Sequence, residues 1–186
     1  MRTLRWRDVS EDVRKTEECV RTGKPHYRDT ATNVAWRPNR TDALVMVQSA
    51  RSGTWGLPKG KFEPVDNRLV LSCALRELWE ETRLDSTAAE SVRYIGSTYT
   101  WVSQSGHQDH GLQRGKRLHF VEVRFFPGPL PSISVGDGVT AVRWVTSWEE
   151  FLSLPMHAAR RAHWLAALRA VDINWARPRS HNKQRW

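Results

Sequence analysis

The sequence predicts an α/β domain in which a mixed β-sheet is sandwiched between helices, an α/β/α arrangement. Apolar residues alternate with period two over several short segments. Those segments come in the order strands, helix, strands, helix, which suits a sheet covered on both faces. A chain of 186 residues is long enough for one domain with a real core and short for two. The expected division is an irregular N-terminal arm over 1–29, the domain over 30–172, and a basic C-terminal tail over 173–186.

The elements follow in order. A polar, irregular stretch is expected through about Asn39. Ala43-Leu-Val-Met-Val-Gln then reads as a buried strand, and Trp55-Gly-Leu-Pro as a short edge. A helix begins near Asn67 or Arg68 and stops near Arg83. Ser91 to Trp101 alternates as a strand, Ser103 to Gly115 is a polar loop, and Arg117 to Phe126 is another strand. Val139 to Val145 adds one more. Ser147 caps a short helix through Leu154, and His157 to Val171 reads as an amphipathic helix with Ala158, Leu165 and Leu168 inward.

The first helix carries the chemistry. At 100° per residue, Glu77, Glu80 and Glu81 share an arc of roughly 100°, whereas Leu71, Leu75, Leu78 and Trp79 occupy a separate one. Three carboxylates that close repel by about 1 kcal/mol per pair, and a hard divalent cation is the natural compensation. An acidic helix face is ordinarily just solvated. Here Arg76 stands beside the cluster, able to hold a carboxylate in one orientation. Gly60 marks a turn that exposes backbone to a ligand, and Lys59 and Lys61 flank it with charge suited to phosphate.

Gly60, Asp66, Arg76, Glu77, Leu78, Glu80, Glu81 and Leu84 resemble the motif of the Nudix hydrolases: Gly, five residues, a carboxylate, seven residues, then Arg-Glu-U-x-Glu-Glu-x-Gly-U with U apolar. Two departures stand out. Nine residues rather than seven separate Asp66 from Arg76, and Arg83 replaces the final glycine, at about 1 kcal/mol if the left-handed geometry of that position is kept. The resemblance spans about residues 30 to 172 and implies the Nudix fold. It also implies hydrolysis of a phosphoanhydride bond in a nucleoside diphosphate linked to another group, with Mg2+ or Mn2+ as cofactor. Catalysis falls to Arg76, Glu77, Glu80 and Glu81. The metal ligands implied are the Gly60 carbonyl, Glu77, Glu80 and Glu81, with Asp137 as a further ligand from a later loop. Asp109 and Glu122 are the weaker alternatives to Asp137, and Glu122 reads better as a sheet residue.

Lys59, Lys61, Lys116, Arg117 and Phe120 are the expected substrate-binding residues. The run Lys116-Arg117-Leu-His119-Phe120 is similar to the basic-then-aromatic strand of Nudix enzymes acting on dinucleoside polyphosphates. Trp55-Gly-Leu-Pro-Lys-Gly-Lys with Ser72-Cys-Ala-Leu-Arg-Glu resembles the mRNA-decapping branch. Pro58-Lys-Gly followed by Glu63-Pro64 resembles the dinucleoside polyphosphate and diphosphoinositol branches. His107, Asp109 and His110 read as a solvated loop, because no third ligand has metal-site spacing.

Composition bears on the substrate. The net charge is +9 and the pI about 10.2, although the acidic stripe concentrates negative charge. The excess base lies in Arg114, Lys116 and Arg117 and in the acid-free end from Arg177 to Trp186, surfaces that suit a phosphate backbone. Ten tryptophans are many. Trp79, Trp101, Trp144 and Trp164 fall in periodic segments and are expected in the core. Trp6, Trp36, Trp175 and Trp186 lie in basic or irregular stretches, where they could stack on bases or anchor a protein partner.

The expectation is therefore a pyrophosphohydrolase acting on RNA 5′ ends, triphosphate or cap, with protein partners in an RNA-processing assembly. The alternatives are a dinucleoside polyphosphate or diphosphoinositol polyphosphate hydrolase, and a weakly active or inactive RNA-binding subunit of the same fold. Two cysteines, Cys19 and Cys73, build no disulfide or metal framework. No apolar run reaches about 18 residues, so no membrane span is expected. An intracellular, cytoplasmic location is expected, with the mitochondrion as alternative.

Overall fold

The computed structural model describes residues 27–101, 115–171 and 173–175. The strands are β1 (Tyr27–Arg37), β2 (Ala43–Ser49), β3 (Trp55–Gly56), β4 (Lys59–Lys61), β5 (Ala89–Trp101), β6 (Gly115–Phe125) and β7 (Val139–Val145). The α-helices are α1 (Val70–Thr82), α2 (Trp148–Ser153) and α3 (Ala158–Ala170). Along its main path the sheet runs β3-β2-β1-β6-β5, with β4 pairing β1 and β7 pairing β2. β1 and β6 are parallel, from Tyr27 opposite Gly115 to Trp36 opposite Arg124, and the other pairs are antiparallel. The sheet is mixed, as the order of elements predicts.

Because successive strand residues point to opposite faces, the sheet divides the core. Val34, Trp36, Leu44, Met46 and Phe120 pack toward Phe151, Trp164 and Leu168 of α2 and α3. Ala31, Ala35, Val45, Val121 and Val123 face Cys73, Ala74 and Leu78 of α1. The alanines on β1 let α1 lie close to the sheet. Asn33, buried between them, donates through Nδ2 to the Ala74 carbonyl at 2.8 Å. That bond ties the middle of α1 to the central strand.

β1 corrects the expected irregular stretch. Its polar residues Asp29, Thr30, Thr32 and Asn33 mask the strand pattern. Asp29 pairs with the Arg117 and His119 side chains and Asn33 with the Ala74 carbonyl, and the strand sits between β2 and β4 on one edge and β6 on the other.

Several tryptophans also change place. Trp36 is buried, its indole donating to Glu122 Oε1 at 2.8 Å. Trp175 is buried against Trp148, with ring centroids 5.1 Å apart, and donates to the Asp42 carbonyl at 2.6 Å. Neither offers a face to a base, and Trp175 carries the packed region beyond residue 172. Trp79, expected inside, is 49% exposed with Arg83 over its ring. Ala158 is exposed as well, the buried face of α3 being formed by Trp164, Ala167 and Leu168. Ser147 caps α2 as predicted, accepting from the Glu150 amide at 3.1 Å. Trp6, Trp186, His107, Asp109, His110 and Arg114 lie outside the described residues.

Both ends of α1 show how the departures from the motif are absorbed. Asn67 and Arg68 take left-handed φ of 48° and 59°, so the two extra residues loop outward and the helix starts at Val70 rather than at 67 or 68. Arg83 closes the helix at φ 57°, ψ 20°, its amide donating to the Trp79 carbonyl at 2.8 Å. Arginine thus occupies the left-handed site that glycine usually fills.

Arg83→Gly is accordingly expected to be more stable than Arg83→Ala by about 1 kcal/mol, although both lose the same side-chain contacts. Urea unfolding of the two variants measures the difference, and equal midpoints would contradict a left-handed residue 83.

Candidate active site

Arg76 is the hub of the acidic stripe. Its Nε and Nη2 donate to Asp66 Oδ1 and Oδ2 at 3.0 and 2.9 Å, a two-pronged pair. Nη2 also donates to the Lys61 carbonyl at 2.8 Å. Nη1 donates to Glu77 Oε1 at 3.0 Å and to Glu80 Oε2 at 2.7 Å. These contacts match the guanidinium's five N–H groups. The bond to Asp66 foremost, with Glu77 and Glu80 adding to it, raises the Arg76 pKa further above its ordinary range.

Asp66 settles the role of the first motif carboxylate. It is 2% exposed and accepts from the Glu63 amide at 2.7 Å as well as from Arg76. The Arg76 bond holds its carboxyl below the usual carboxylate range. Asp66 therefore positions Arg76, and the inserted residues after it leave that pair intact.

Glu77 lies against Gly60. A Cβ on residue 60 would stand 1.7 Å from the Glu77 carboxyl carbon, so this approach requires glycine. Gly60 itself is held in β4, opposite Ala31 of β1. Glu81 accepts from the Lys59 amide at 2.9 Å. Burial pushes its carboxyl up to about 7 despite the nearby lysine, and burial raises Glu77 as well. The helix end is fastened by the loop before β7: the amides of Ser134, Gly136 and Asp137 donate to the carbonyls of Thr82, Glu81 and Glu80 at 3.0, 3.1 and 2.6 Å.

The structure brings together Gly60, Arg76, Glu77, Glu80 and Glu81, with Lys59 and Lys61 on the strand beside them. Asp137 reaches the same helix end through its backbone, but its carboxylate is exposed and pairs with Arg83 Nη2 at 3.1 Å. Arg117 pairs with Asp29 at 2.6 Å, and His119 Nε2 donates to the same oxygen at 2.9 Å. Lys116 sits on β6 opposite Arg28 and Thr100, its side chain outside the described residues. Phe120 corrects the expectation: it is fully buried in the core and has no face open to a base. Glu122 is likewise buried and held by Trp36 and Arg93, which makes it a sheet residue.

Some contributors were not singled out from sequence. Gly136 is one, because a Cβ there would meet the Glu80 carbonyl oxygen at 1.9 Å. Only the glycine flanking Asp137 hinted at it. Asp29 is another, hidden in a strand that reads as irregular.

Beside Glu81 lies a small cleft lined by Lys59, Trp55, Thr54, Arg160 and Trp164 among others. Cys73 is buried beneath the stripe, its thiol pushed up to about 12 by desolvation, and is chemically inert. The donor set is all oxygen, which suits a hard divalent ion, and the glycine-lined seat of Glu77 fits that use. Among the described residues no three acidic, histidine or cysteine side chains converge as a ready metal site. Glu77 and Glu80 are turned to Arg76, and Glu81 to the Lys59 amide.

The NUDIX domain family matches residues 26–168, and the chain belongs to that family, the Nudix hydrolases. Members generally use divalent metal ions. The fold is similar to the NUDIX domain of Shewanella oneidensis NrtR complexed with ADP ribose, with TM-score 0.61 and 13% identity over 83% of this chain and 97% of that one. It is similar to a Caenorhabditis elegans (C. elegans) Ap4A hydrolase, with TM-score 0.55 and 14% identity over 77% and 98%. A Francisella tularensis bifunctional NMN adenylyltransferase/ADP ribose pyrophosphatase complexed with AMP and a manganese ion matches with TM-score 0.56 and 17% identity, over 84% of this chain and 45% of that one. A search of curated proteins found no match to this sequence. No helix among the described residues is long and apolar enough to cross a membrane.

Two outcomes are expected. Gly60→Ala should cost little stability, since the Glu77 carboxylate can swing away, whereas Gly136→Ala drives a methyl into backbone and should cost about 1–3 kcal/mol. Thermal unfolding separates them.

The second concerns pH in metal-free protein. Glu81 binds its proton more tightly folded than unfolded, so its contribution falls as pH rises from 4.5 towards 7. Asp66 binds its proton less tightly folded, so its contribution is lost as pH falls below 3.8. Subtracting the unfolding profile of Glu81→Gln from that of the parent protein in EDTA isolates the upper limb. A flat difference across 4.5 to 7 would contradict burial of this carboxyl.

Proposed function

We propose that this protein is a metal-dependent pyrophosphohydrolase that cleaves a phosphoanhydride bond in a nucleotide substrate. The arrangement that supports it is the Arg76 network, which holds Glu77 and Glu80 beside Gly60 and leaves Glu81 at the mouth of the cleft. Glu77, Glu80, Glu81 and the Gly60 carbonyl would hold Mg2+ or Mn2+. Such an ion, when bound, offsets charge on the phosphate oxygens and lowers the pKa of a coordinated water. Arg76 keeps its two glutamates in fixed orientation, and Asp66 keeps Arg76 in place. One glutamate of the stripe accepts the proton of the attacking water. Lys59, on the cleft wall, attracts the substrate's phosphates.

A small nucleotide, such as ADP-ribose or a dinucleoside polyphosphate, is the favoured substrate class. The similar folds include a domain complexed with ADP ribose, an ADP ribose pyrophosphatase and an Ap4A hydrolase. The second reading is the RNA 5′ end, triphosphate or cap, processed with protein partners. The observation that favours it is the net charge of +9 on a chain with an acidic catalytic helix. Burial of Trp36 and Trp175 removes two of the base-stacking positions that this reading drew on.

Incubation with Mg2+ or Mn2+ and ADP-ribose, diadenosine tetraphosphate, 5′-triphosphate RNA or capped RNA tests the proposal. Turnover is expected to vanish in EDTA and to fall at least about a hundredfold in Glu80→Gln. Preference for the small nucleotides supports the first reading and preference for RNA the second. Salt-sensitive RNA binding without turnover of any of the four would instead indicate a binding subunit and defeat the proposal.

A further inference from the structure

Arg160 is set apart from the other arginines of its neighbourhood. It lies in the first turn of α3, one turn before Trp164, whose ring rests so close to Gly56 that a Cβ there would stand 2.6 Å from it. The segment leading into α3 is anchored to β3, the Trp55 amide donating to the Pro155 carbonyl at 2.9 Å. This packing places Arg160 on the wall of the cleft that also holds Lys59 and Glu81.

Neighbouring guanidiniums have their own partners. Arg161 donates to the carbonyls of Leu152 and Leu154. Arg143 lies over the Trp55 ring at 4.5 Å and pairs with Glu150 at 3.7 Å. Arg160 has no carboxylate within ion-pair reach among the described residues, although it is partly buried. Burial disfavours its charged form. A half-buried guanidinium facing a cleft without a counter-ion has N–H groups open to a ligand. An anion seated there would offset the cost of burial, and guanidinium geometry suits phosphate in particular. The cleft supplies a second cation in Lys59, and Ser49 and Thr54 offer hydroxyls.

We propose that Arg160 and Lys59 form a phosphate clamp, in which Arg160 is a substrate-binding residue holding a phosphate of the nucleotide next to the one attacked. The clamp rests on the reading of the acidic stripe as the hydrolytic centre, because Glu81 belongs to both. It places the substrate's polyphosphate along the cleft from Glu81 to the start of α3. It also selects for substrates with a charged group beyond the reacting phosphorus. Arg160 acts in binding and does not touch the bond that breaks.

The test uses the full chain and its Arg160→Gln and Arg160→Lys variants. Calorimetry with inorganic pyrophosphate in EDTA reads the clamp alone, and steady-state kinetics with Mg2+ and diadenosine tetraphosphate, ADP-ribose or 5′-triphosphate RNA reads its use. Arg160→Gln is expected to weaken pyrophosphate binding and raise KM about tenfold, the loss typical of one charge-assisted contact. Its kcat should stay within about twofold, and Arg160→Lys should recover part of the binding. Unchanged pyrophosphate affinity in Arg160→Gln, or a fall in kcat with KM unaltered, overturns the clamp while leaving the hydrolase reading standing. Arg160-dependent pyrophosphate binding in a protein that turns over none of the substrates supports the clamp and removes the hydrolase reading. Should Arg160→Gln fail to fold, the Arg160→Lys comparison decides by the same criteria.

Discussion

The pairing of Arg76 with Asp66 is the constraint on which the site depends. A guanidinium held at two points by a buried carboxylate has little freedom left, and its remaining N–H groups fix where Glu77, Glu80 and the Lys61 carbonyl can lie. A partly buried ion pair adds little net stability, because desolvation offsets much of the attraction. What it adds here is position: two glutamates that would otherwise repel are held at hydrogen-bonding distance from one cation. The strand carrying Gly60 and the helix carrying the glutamates are joined through the same side chain.

The surrounding fold delivers the two halves of that network to one place. Alanines on β1 allow α1 to approach the sheet, Asn33 pins its middle, and the loop before β7 covers its last carbonyls. Gly60 and Gly136 mark the closest approaches, one to a side chain and the other to backbone. Gly60 therefore bears on the position of a catalytic group and Gly136 on the integrity of the helix end. On the far side of the sheet, α3 packs Trp164 onto Gly56 and so brings Arg160 to the cleft beside Glu81. Both layers of the sandwich contribute to one cleft.

The tolerance of the motif to its two irregularities has a local cause. The inserted residues sit where the chain already turns, and Asn67 and Arg68 absorb them in left-handed conformations outside the helix. Arg83 retains the backbone shape of a glycine cap and gains a stack on Trp79 and a pair with Asp137. Asp137, expected among the metal ligands, also pairs with Arg83 at that cap. Neither irregularity reaches the contacts of Arg76.

The sequence by itself determined the alternating strands, the acidic face of α1, the Ser147 cap and the family motif, because these depend on residues within a turn or two of each other. It could not reveal β1, whose polar side chains look irregular until Asp29 meets Arg117 and His119 and Asn33 meets Ala74. Nor could it sort the tryptophans, since burial of Trp36 and Trp175 and exposure of Trp79 follow from which surfaces the sheet and helices cover. Phe120 was read as a binding residue for the same reason: alternation shows that a side chain has a face, and only the third dimension shows which side is the core. The role of Asp66 and the place of Arg160 rest on contacts across ten and a hundred or so residues of chain, and such pairings exist only once the layers have packed.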